Sequence, residues 1–260
     1  MTETAVYLQP AFILQQQKYR ETSLIIDALS RDFGRISLLA KGVRKTKSKT
    51  AGLLQPFIPL SLSFIGQAEL KTLTAVERRA ACLPDDMPPF SGLQGMALYC
   101  GFYINELVTC FLHKYDPHPE VFEAYQACLF SLAEGRSIEA ALRLFELQLM
   151  EASGYALQLE YDNHDQPIEP LKKYRFEAGQ GPVAAENGAF SGKTLQALNA
   201  KELTDAQVLG EAKILMRKVI DVHLQGKPLK SRAVIQKVIA ATPTVTSSNK
   251  AFSVNQDTKK

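Results

Sequence analysis

The hydrophobic pattern changes near residue 84, and this change constrains the fold more than any other feature of the chain. Before it, short runs such as Leu60–Phe64 and Leu70–Thr74 alternate apolar and polar residues, which is typical of half-buried strands. After it, apolar residues recur at three- and four-residue spacings, which is typical of amphipathic helices. About five short strands in roughly 75 residues favour a small closed barrel over a sandwich. We therefore predict an α+β chain, with a barrel over residues 1–80 and a mainly helical domain over residues 81–240.

Local signals mark where several elements begin and end. Phe33–Arg35 separates two apolar runs and predicts a hairpin turn, because its central glycine adopts positive φ freely. Ser137 precedes an apolar run at helical spacing and predicts the N-cap of a third helix. Thr204, with Gln207 three residues later, has the pattern of a capping box, which predicts the start of a last long helix that ends near Gly226.

Three segments do not follow either pattern. Residues 155–190 lose the helical spacing, and within them Tyr155–Leu159 and Tyr174–Phe176 predict short strands around a polar loop. The proline-rich segment Leu83–Pro89 predicts a linker. Residues 241–260 are rich in Thr, Ser, Asn and Lys and predict a disordered tail.

Charge is distributed unevenly along the chain. Its net charge is +3, but residues 1–80 carry 12 Lys/Arg against 6 Asp/Glu, a net of +6. Residues 81–210 carry 8 against 18, a net of −10, and residues 211–260 carry 10 against 3, a net of +7. Both ends are therefore predicted to meet a polyanion, while the middle serves another purpose.

The segment from Lys41 to Lys49 is the strongest functional signal in the sequence. It holds five cations and no acid among Gly, Thr and Ser residues, a composition typical of a flexible basic loop. Such a loop on a small barrel suits contact with phosphates, because each neutralised phosphate releases counterions; the alternative is a solvated run of charge. The residues predicted to contact DNA phosphates are Arg35, Lys41, Arg44, Lys45, Lys47 and Lys49. The aromatic residues that could stack on bases if exposed, or otherwise pack in the core, are Phe12, Tyr19, Phe57 and Phe64.

Motifs for catalysis and metal binding are missing from the sequence. There is no Walker loop, dinucleotide fingerprint or nucleophile elbow, and none of the four cysteines sits in a C-x-x-C pair. His113 and His118 are close in sequence, but solvated histidines at a helix end are the favoured interpretation. Cys100, Cys110 and Cys128 lie in apolar helical stretches and are interpreted as reduced core cysteines. We therefore predict no enzyme activity, no cofactor and no metal.

Targeting signals are also missing. The N-terminus lacks a basic segment followed by an apolar core, so we expect no signal peptide. No apolar stretch approaches the roughly 18 residues that span a membrane. The chain is therefore expected to be soluble and cytoplasmic, without a membrane partner.

Short motifs are spread over residues 6–235. In the barrel half they are Ala11–Leu14, Tyr19–Leu24, Gly34–Arg35, Lys41–Arg44, Leu53–Phe57 and Glu69–Leu73. In the helical half they are Tyr103–Leu107, Leu142–Glu146, Gly154–Tyr155, Leu198–Ala200 and Gly226–Arg232. Each motif is weak alone, but their order and spacing together resemble the RecO family of bacterial recombination mediators.

The resemblance implies an N-terminal OB-fold and a C-terminal helical domain. It also implies binding to single- and double-stranded DNA, and annealing of complementary strands coated by single-strand-binding protein. With its partner RecR, a protein of this family helps RecA to replace the single-strand-binding protein. Some members hold zinc through cysteine pairs after the position of Gly154–Tyr155; this chain has only His164 there, so we predict that this zinc site is absent.

The resemblance further implies that the helical domain receives the acidic, phenylalanine-ending tail of single-strand-binding protein. Such a tail needs an apolar slot for its ring and a cation for its terminal carboxylate, which a guanidinium can grip with two parallel hydrogen bonds. We assign this role to Leu142, Arg143 and Phe145 on the third predicted helix. The alternative is that Arg143 pairs with Glu139 or Glu146 on its own helix.

Two other functions stay open at this point. The first is an adaptor whose helical domain binds partners while the barrel touches DNA only incidentally. The second is a metal-dependent nuclease of the same fold, although no converging set of acidic ligands is visible in the sequence.

Overall fold

The computed structural model describes residues 5–45, 48, 50–79, 92–177 and 179–241. The N-terminal part of this range is a closed barrel. Its strands are β1 (Ala5–Tyr19), β2 (Ser23–Ser30), β3 (Gly34–Ala40), β4 (Leu60–Ile65) and β5 (Leu70–Arg78). They close in the order β1-β2-β3-β5-β4, with antiparallel neighbours except for the parallel pair β3–β5. The predicted OB-like barrel is therefore confirmed.

The long strand β1 serves two neighbours. Its first part pairs with β4 and its second part with β2, with a register shift in each part. Such shifts bend a strand and increase its twist, so that β1 can wrap around the barrel. The period-two pattern points one set of side chains inward. These buried apolar residues include Ile36, Leu38 and Ala40 of β3 and Leu60, Leu62 and Phe64 of β4.

The remaining described elements form a helical domain with a small sheet. The helices are α1 (Gly95–Phe111), α2 (Pro119–Ala133), α3 (Ile138–Ala152), α4 (Gly192–Asn199), α5 (Ala206–His223) and α6 (Lys230–Ala241). The strands β6 (Lys173–Glu177), β7 (Gly181–Ala184) and β8 (Phe190–Ser191) form a sheet in the order β7-β6-β8. This arrangement confirms the predicted α+β class.

The barrel and the helices bury one continuous apolar cluster. Phe12 of β1 inserts between rings of α2, with its centroid 5.4 Å from Phe122 and 5.1 Å from Tyr125. The buried Asn105 side chain on α1 donates a hydrogen bond of 2.8 Å to the Leu14 carbonyl. The two halves are therefore packed against each other through an apolar seam that also contains a buried hydrogen bond.

Position 34 at this seam favours glycine over a residue with a side chain, for two reasons. It follows the turn of the predicted β2–β3 hairpin and has φ of +63°, where a side chain is strained. A Cβ on Gly34 would also lie 2.0 Å from the Asp116 carbonyl oxygen on the α1–α2 connection. The neighbouring Arg35 carbonyl accepts a hydrogen bond of 2.9 Å from the Tyr115 amide. The hairpin turn is thus a docking point for the helical domain.

Local cap signals were right at one helix and displaced at another. The Ser137 hydroxyl accepts a hydrogen bond from the Ala140 amide and caps α3, as predicted. At α5 the cap is Asp205, whose carboxylate accepts from the Gln207 and Val208 amides. The prediction that Thr204 caps this helix was wrong, because the adjacent carboxylate is the stronger acceptor and its charge suits a helix N-terminus.

Other segment predictions had mixed outcomes. Tyr174–Phe176 lies in β6 as predicted, but Tyr155–Leu159 forms no strand. The short helix α4 and the last helix α6 were not predicted. The predicted linker Leu83–Pro89 lies outside the described residues. Of the predicted tail over residues 241–260, Ala241 is instead the last residue of α6, and residues 242–260 lie outside the described residues.

Candidate nucleic-acid interface and peptide cavity

A set of cations surrounds the end of the barrel where β1 turns into β2. The Arg44 amide donates a hydrogen bond of 2.8 Å to the Thr22 carbonyl, and its Nη1 donates to the carbonyls of Arg20 and Glu21 at 3.3 and 3.1 Å. These bonds hold the start of the β3–β4 loop against the β1–β2 turn. We call the resulting surface the basic face; it consists of Tyr19, Arg20, Lys41, Arg44 and Lys45.

The basic face borders an open hollow of about 640 Å³. Arg20, Lys41, Arg44 and Lys45 are all exposed, and none has an ion-pair partner in the part of the chain that the structure describes. The Arg20 guanidinium lies 5.2 Å from the ring centroid of the half-buried Tyr19. Glu21 also lines the hollow. The surface therefore offers an excess of exposed cations beside an aromatic ring, which suits phosphates flanking an unpaired base.

Most of the predicted stacking residues are in the core instead. Phe12, Phe57 and Phe64 are 1%, 5% and 1% exposed, so core packing is the correct interpretation for these three. Tyr19 is the member of this group that reaches the surface.

The Arg35 side chain makes its contacts inside the protein. The prediction that Arg35 contacts phosphates is therefore corrected. Its Nη1 donates hydrogen bonds of 2.6 and 2.9 Å to the carbonyls of Thr109 and Leu112 at the end of α1. Its Nε lies 3.2 Å from a carboxylate oxygen of Asp27, and its side chain is 12% exposed. A cation at a helix C-terminus is stabilised by the carbonyl groups there, so Arg35 joins the barrel to α1. Lys47 and Lys49 lie outside the described residues.

A cavity of about 600 Å³ opens among α1, α3, α5 and α6. We call it the peptide cavity. Its floor includes Cys100, Tyr103, Leu142, Arg143 and Glu146. Its apolar walls include Met96, Ile138, Ile235 and Ile239. Its other charged lining residues are Arg136, Glu139, Lys213, Arg217 and Arg232. Apolar walls with a few cations suit an amphipathic, acidic ligand.

Arg143 is fixed in the floor by its own helix. Its Nε donates a hydrogen bond of 2.6 Å to Glu146, and its Nη2 donates to the other carboxylate oxygen of Glu146. Their side chains are 7% and 1% exposed, and the Tyr103 hydroxyl also donates to Glu146 at 2.7 Å. Burial alone would lower the pKa of Arg143, but the Glu146 carboxylate outweighs it and raises that pKa. Breaking such a buried pair by removing one partner costs about 3–5 kcal/mol.

Phe145 does not reach the peptide cavity. Leu142, Arg143 and Glu146 form one stripe of α3, and Phe145 lies roughly a quarter-turn away from that stripe. The Phe145 side chain is 1% exposed and packs at 6.2 Å from the Tyr125 ring in the helical core. Of the three residues assigned to the tail site, Leu142 and Arg143 line the cavity and Phe145 supports it from behind.

Comparison with known proteins shows the family of the chain. Two family models match the sequence, "Recombination protein O N terminal" over residues 1–81 and "Recombination protein O C terminal" over residues 93–233. The chain belongs to the RecO family. Its relatives include three proteins named DNA repair protein RecO. That of Methylococcus capsulatus is 42% identical over 230 residues, covering 87% of this chain and 92% of the relative. Those of Nitrosospira multiformis and Haemophilus influenzae are each 39% identical, covering 88% and 86% of this chain and 94% of each relative.

The RecO family match ends at residue 233, whereas α6 continues to Ala241. Glu106 on α1 holds the start of α6, accepting hydrogen bonds from the amides of Lys230 and Ser231 at 2.9 Å and from the Ser231 hydroxyl at 2.5 Å. Burial would raise the pKa of Glu106, but these hydrogen bonds outweigh it and lower that pKa. Glu106 is thus an N-cap supplied by another helix, and it positions the outer apolar wall of the cavity.

The described part of this RecO-family chain contains no cluster of His, Cys, Asp or Glu that could hold a metal ion. His118 contacts Asp116 and Glu120 at 3.2 and 3.1 Å. Cys100 and Cys128 are buried as predicted, but Cys110 is exposed, so its assignment to the core was wrong. Over the described ranges, no helix is both long and apolar enough to cross a membrane.

Arg20, Lys213 and Arg217 are the candidate residues that sequence reasoning missed. Arg20 has φ of +51° at the β1–β2 turn, a position that projects its side chain beyond the barrel. Its place directly after Tyr19, which was predicted to stack on bases if exposed, was a usable signal. Lys213 and Arg217 gave no such signal, because their value depends on α6 and α3 forming the opposite side of the cavity.

Proposed function

We propose that this chain is a DNA-repair protein that binds single- and double-stranded DNA and anneals complementary strands coated by single-strand-binding protein. With RecR, it assists RecA loading in the cytoplasm. The observation that carries the proposal is the basic face, where Arg20, Lys41 and Lys45 line one hollow with Tyr19 on an OB-like barrel. All three cations are exposed and have no ion-pair partner among the described residues. Membership of the RecO family supports it.

The basic face can bring two strands together without any covalent chemistry. Annealing is opposed by repulsion between phosphates, and cations that neutralise phosphates on both strands reduce that repulsion. Arg20, Lys41 and Lys45 suit this task, because no ion pair with another described residue has to be broken first. We therefore propose no enzyme activity and no cofactor for this function.

The peptide cavity is proposed to receive the acidic, phenylalanine-ending tail of single-strand-binding protein. Its volume lies within the range of about 300–1,000 Å³ typical of ligand sites, and Leu142, Ile235 and Ile239 offer an apolar slot for an aromatic ring. The positive charges of the cations at its rim would attract the negative charges of such a tail. Binding the tail would bring the coated strand to the basic face.

An annealing assay tests the proposal directly. Complementary labelled strands, bare or coated by single-strand-binding protein, are mixed with the purified chain in the presence of a chelator of divalent metals. We expect annealing of both substrates, because no step needs a metal. A mobility shift on bare DNA at moderate salt separates this function from the adaptor alternative, which predicts no shift. Cleavage of labelled DNA in magnesium would instead support the nuclease alternative.

A further inference from the structure

A second cavity lies between α5 and the small sheet. Its volume is about 340 Å³, and it shares no lining residue with the peptide cavity. Three parts of the chain form its walls: residues 154–158 after α3, residues 179–181 at the start of β7, and the last turns of α5 together with Phe176 of β6. We call it the glycine cavity, because three glycines line it: Gly154, Gly179 and Gly181.

A fixed aromatic ring forms part of the wall of the glycine cavity. The Tyr155 ring is stacked on the His223 ring, with their centroids 3.9 Å apart, and it meets the Phe111 ring in an edge-on arrangement at 6.4 Å. Although two neighbours hold this ring in place, Tyr155 is 43% exposed. An aromatic side chain that is both held and exposed is suited to stack on the planar ring of a ligand.

The glycines leave main chain uncovered on the other walls. All three have φ between +79° and +81°, and a Cβ added to Gly154 or Gly179 would meet no described atom within 4 Å beyond its chain neighbours. At Gly181 the cavity is narrower, because a Cβ there would lie 3.6 Å from the Gln158 carbonyl oxygen. Main-chain amides that no side chain covers can bind a phosphate at short range. Three consecutive residues of the cavity wall form no main-chain hydrogen bond with another described residue: Ala156, Leu157 and Gln158.

Lys218 adds a positive charge that is not paired with an acid. Its Nζ donates a hydrogen bond of 2.5 Å to the Phe176 carbonyl, which holds the ammonium group at the cavity wall and leaves two of its N–H groups for a ligand. The Lys218 side chain is exposed and forms no ion pair with another described residue. No Asp or Glu is among the described residues that line the cavity. The cavity therefore favours an anion that carries a planar ring.

We propose that the glycine cavity binds one nucleoside phosphate, with its base on Tyr155 and its phosphate between Lys218 and the amides of residues 156–158. Two sources supply this chemistry, a free nucleotide and an unpaired nucleotide within a single strand. The site is separate from the basic face and from the peptide cavity, so it gives the helical domain a nucleotide contact that neither of those surfaces requires.

Binding of 2′-deoxyadenosine 5′-monophosphate to the full-length chain, followed by ligand-observed NMR titration, tests the proposal. Deoxyadenosine and inorganic phosphate each keep one set of contacts, so each should bind at least about tenfold more weakly. Lys218→Ala should weaken binding of the monophosphate about tenfold, the size of a charged hydrogen bond, and leave deoxyadenosine unchanged. Tyr155→Leu should weaken both ligands about fivefold, the lower end for stacking.

Two further variants keep the test independent of the stability of Tyr155→Leu. Val222 lines the cavity and is 46% exposed, so Val222→Glu should fold normally by circular dichroism. Its carboxylate should weaken the monophosphate about fivefold, the effect of a like charge about 4 Å away in water. Lys172→Ala removes an exposed cation paired with Glu169 that lines neither the glycine cavity nor the peptide cavity, and it should keep full affinity.

A short oligodeoxyadenylate distinguishes the two sources. If Lys218→Ala weakens the oligonucleotide as it weakens the monophosphate, the ligand is a nucleotide of a single strand; an unchanged oligonucleotide affinity identifies the free nucleotide. The inference is overturned if the monophosphate does not bind, if neither Lys218→Ala nor Tyr155→Leu weakens it, or if Tyr19→Leu removes its binding instead. The annealing assay would be unaffected by the first two of these outcomes, so the proposed function would stand without this site.

Discussion

The basic face and the peptide cavity both collect cations, but they hold them in opposite ways. Arg20, Lys41 and Lys45 on the basic face are exposed and free of ion pairs among the described residues. In the cavity, Arg143 is buried, and the partly buried Arg232 is linked to it through Tyr103 and Glu146. Free surface cations suit a long polyanion whose charges are equivalent, whereas fixed cations give shape to a site for one defined end of a peptide. Salt should therefore weaken the first surface much more than the second.

The largest expected effect is on stability, at the fixed cations. Arg143→Ala would leave Glu146 buried without its partner, so the free energy of unfolding should fall by about 3–5 kcal/mol. Urea denaturation followed by circular dichroism measures this loss. Lys213→Ala, which removes an exposed pair, should cost no more than about 1 kcal/mol. Equal losses in the two variants would remove the distinction between fixed and free cations.

Replacing both members of the Arg143–Glu146 pair by apolar residues tests whether the buried charge causes this loss of stability. Arg143→Met/Glu146→Leu removes both charges together, so it should recover most of the stability lost in Arg143→Ala. A double variant as unstable as Arg143→Ala would assign the loss to packing and not to the uncompensated carboxylate.

The second effect concerns DNA binding by the basic loop. If about five cations contact a single strand, log K should fall with log salt at a slope near −3.5, and Lys45→Ala/Lys47→Ala/Lys49→Ala should flatten it by about two units. Anisotropy titrations of a labelled oligonucleotide at several salt concentrations give the slope.

A variant of Arg35 is the control for this experiment. Because its guanidinium is bound to Asp27 and to carbonyls of α1, Arg35→Gln should lower the free energy of unfolding and leave the salt slope unchanged. An unchanged slope in the triple lysine variant would contradict the loop assignment, and a flattened slope in Arg35→Gln would restore Arg35 to the interface.

A smaller effect is expected at the wall of the cavity. Glu106→Ala removes the cap of α6 and should cost about 0.5–2 kcal/mol of helix stability, with weaker peptide binding and unchanged DNA binding. Hydrogen exchange of α6 amides measures the loosening. Because hydrogen bonds lower the pKa of Glu106, its contribution is complete above the ordinary value of 4.5 and is lost as pH falls through the lowered pKa. In Glu106→Gln at neutral pH, hydrogen exchange of the α6 amides should be as fast as in the unmodified chain at acid pH. Unchanged protection of the α6 amides in Glu106→Ala would contradict this role of Glu106.

The smallest effect is expected at the aromatic ring of the basic face. Tyr19→Leu should weaken single-strand binding by about 1 kcal/mol, the lower end for base stacking, because the ring is half-buried. Duplex binding should not change, since paired bases cannot reach the ring. Competition between single-strand and duplex oligonucleotides measures the difference, and an equal loss on both would show that Tyr19 serves only the fold.

The sequence predicted the features that depend on neighbours in the chain. Ser137 capping α3 and the β2–β3 hairpin follow from a few adjacent residues. The cap of α5 was missed by one residue, at Asp205, but other failures involve distant partners. Arg35 bonds to carbonyls more than 70 residues away, and α6 is capped by Glu106 from a distance of 124 residues. Helix α6 buries none of its residues fully, so its apolar pattern is too weak to mark it in the sequence.

The functional residues followed the same rule. The basic loop was visible because its five cations lie within nine residues of sequence. The cavity, in contrast, combines residues of α5 and α6 with a floor from α1 and α3. From the sequence, Arg143 could either contact a ligand or pair with Glu146. The fold buries both side chains, and this burial favours the pair.

The continuous core between barrel and helices has a consequence for how the two surfaces would cooperate. A flexible linker would let a captured partner explore a large volume, and its effective concentration at the DNA surface would fall with linker length. Here Phe12 and the Asn105–Leu14 hydrogen bond join the two halves directly. If the cavity binds the single-strand-binding protein on a coated strand, that strand is held at a fixed distance from the basic face. Binding at the cavity and binding at the basic face would then reinforce each other.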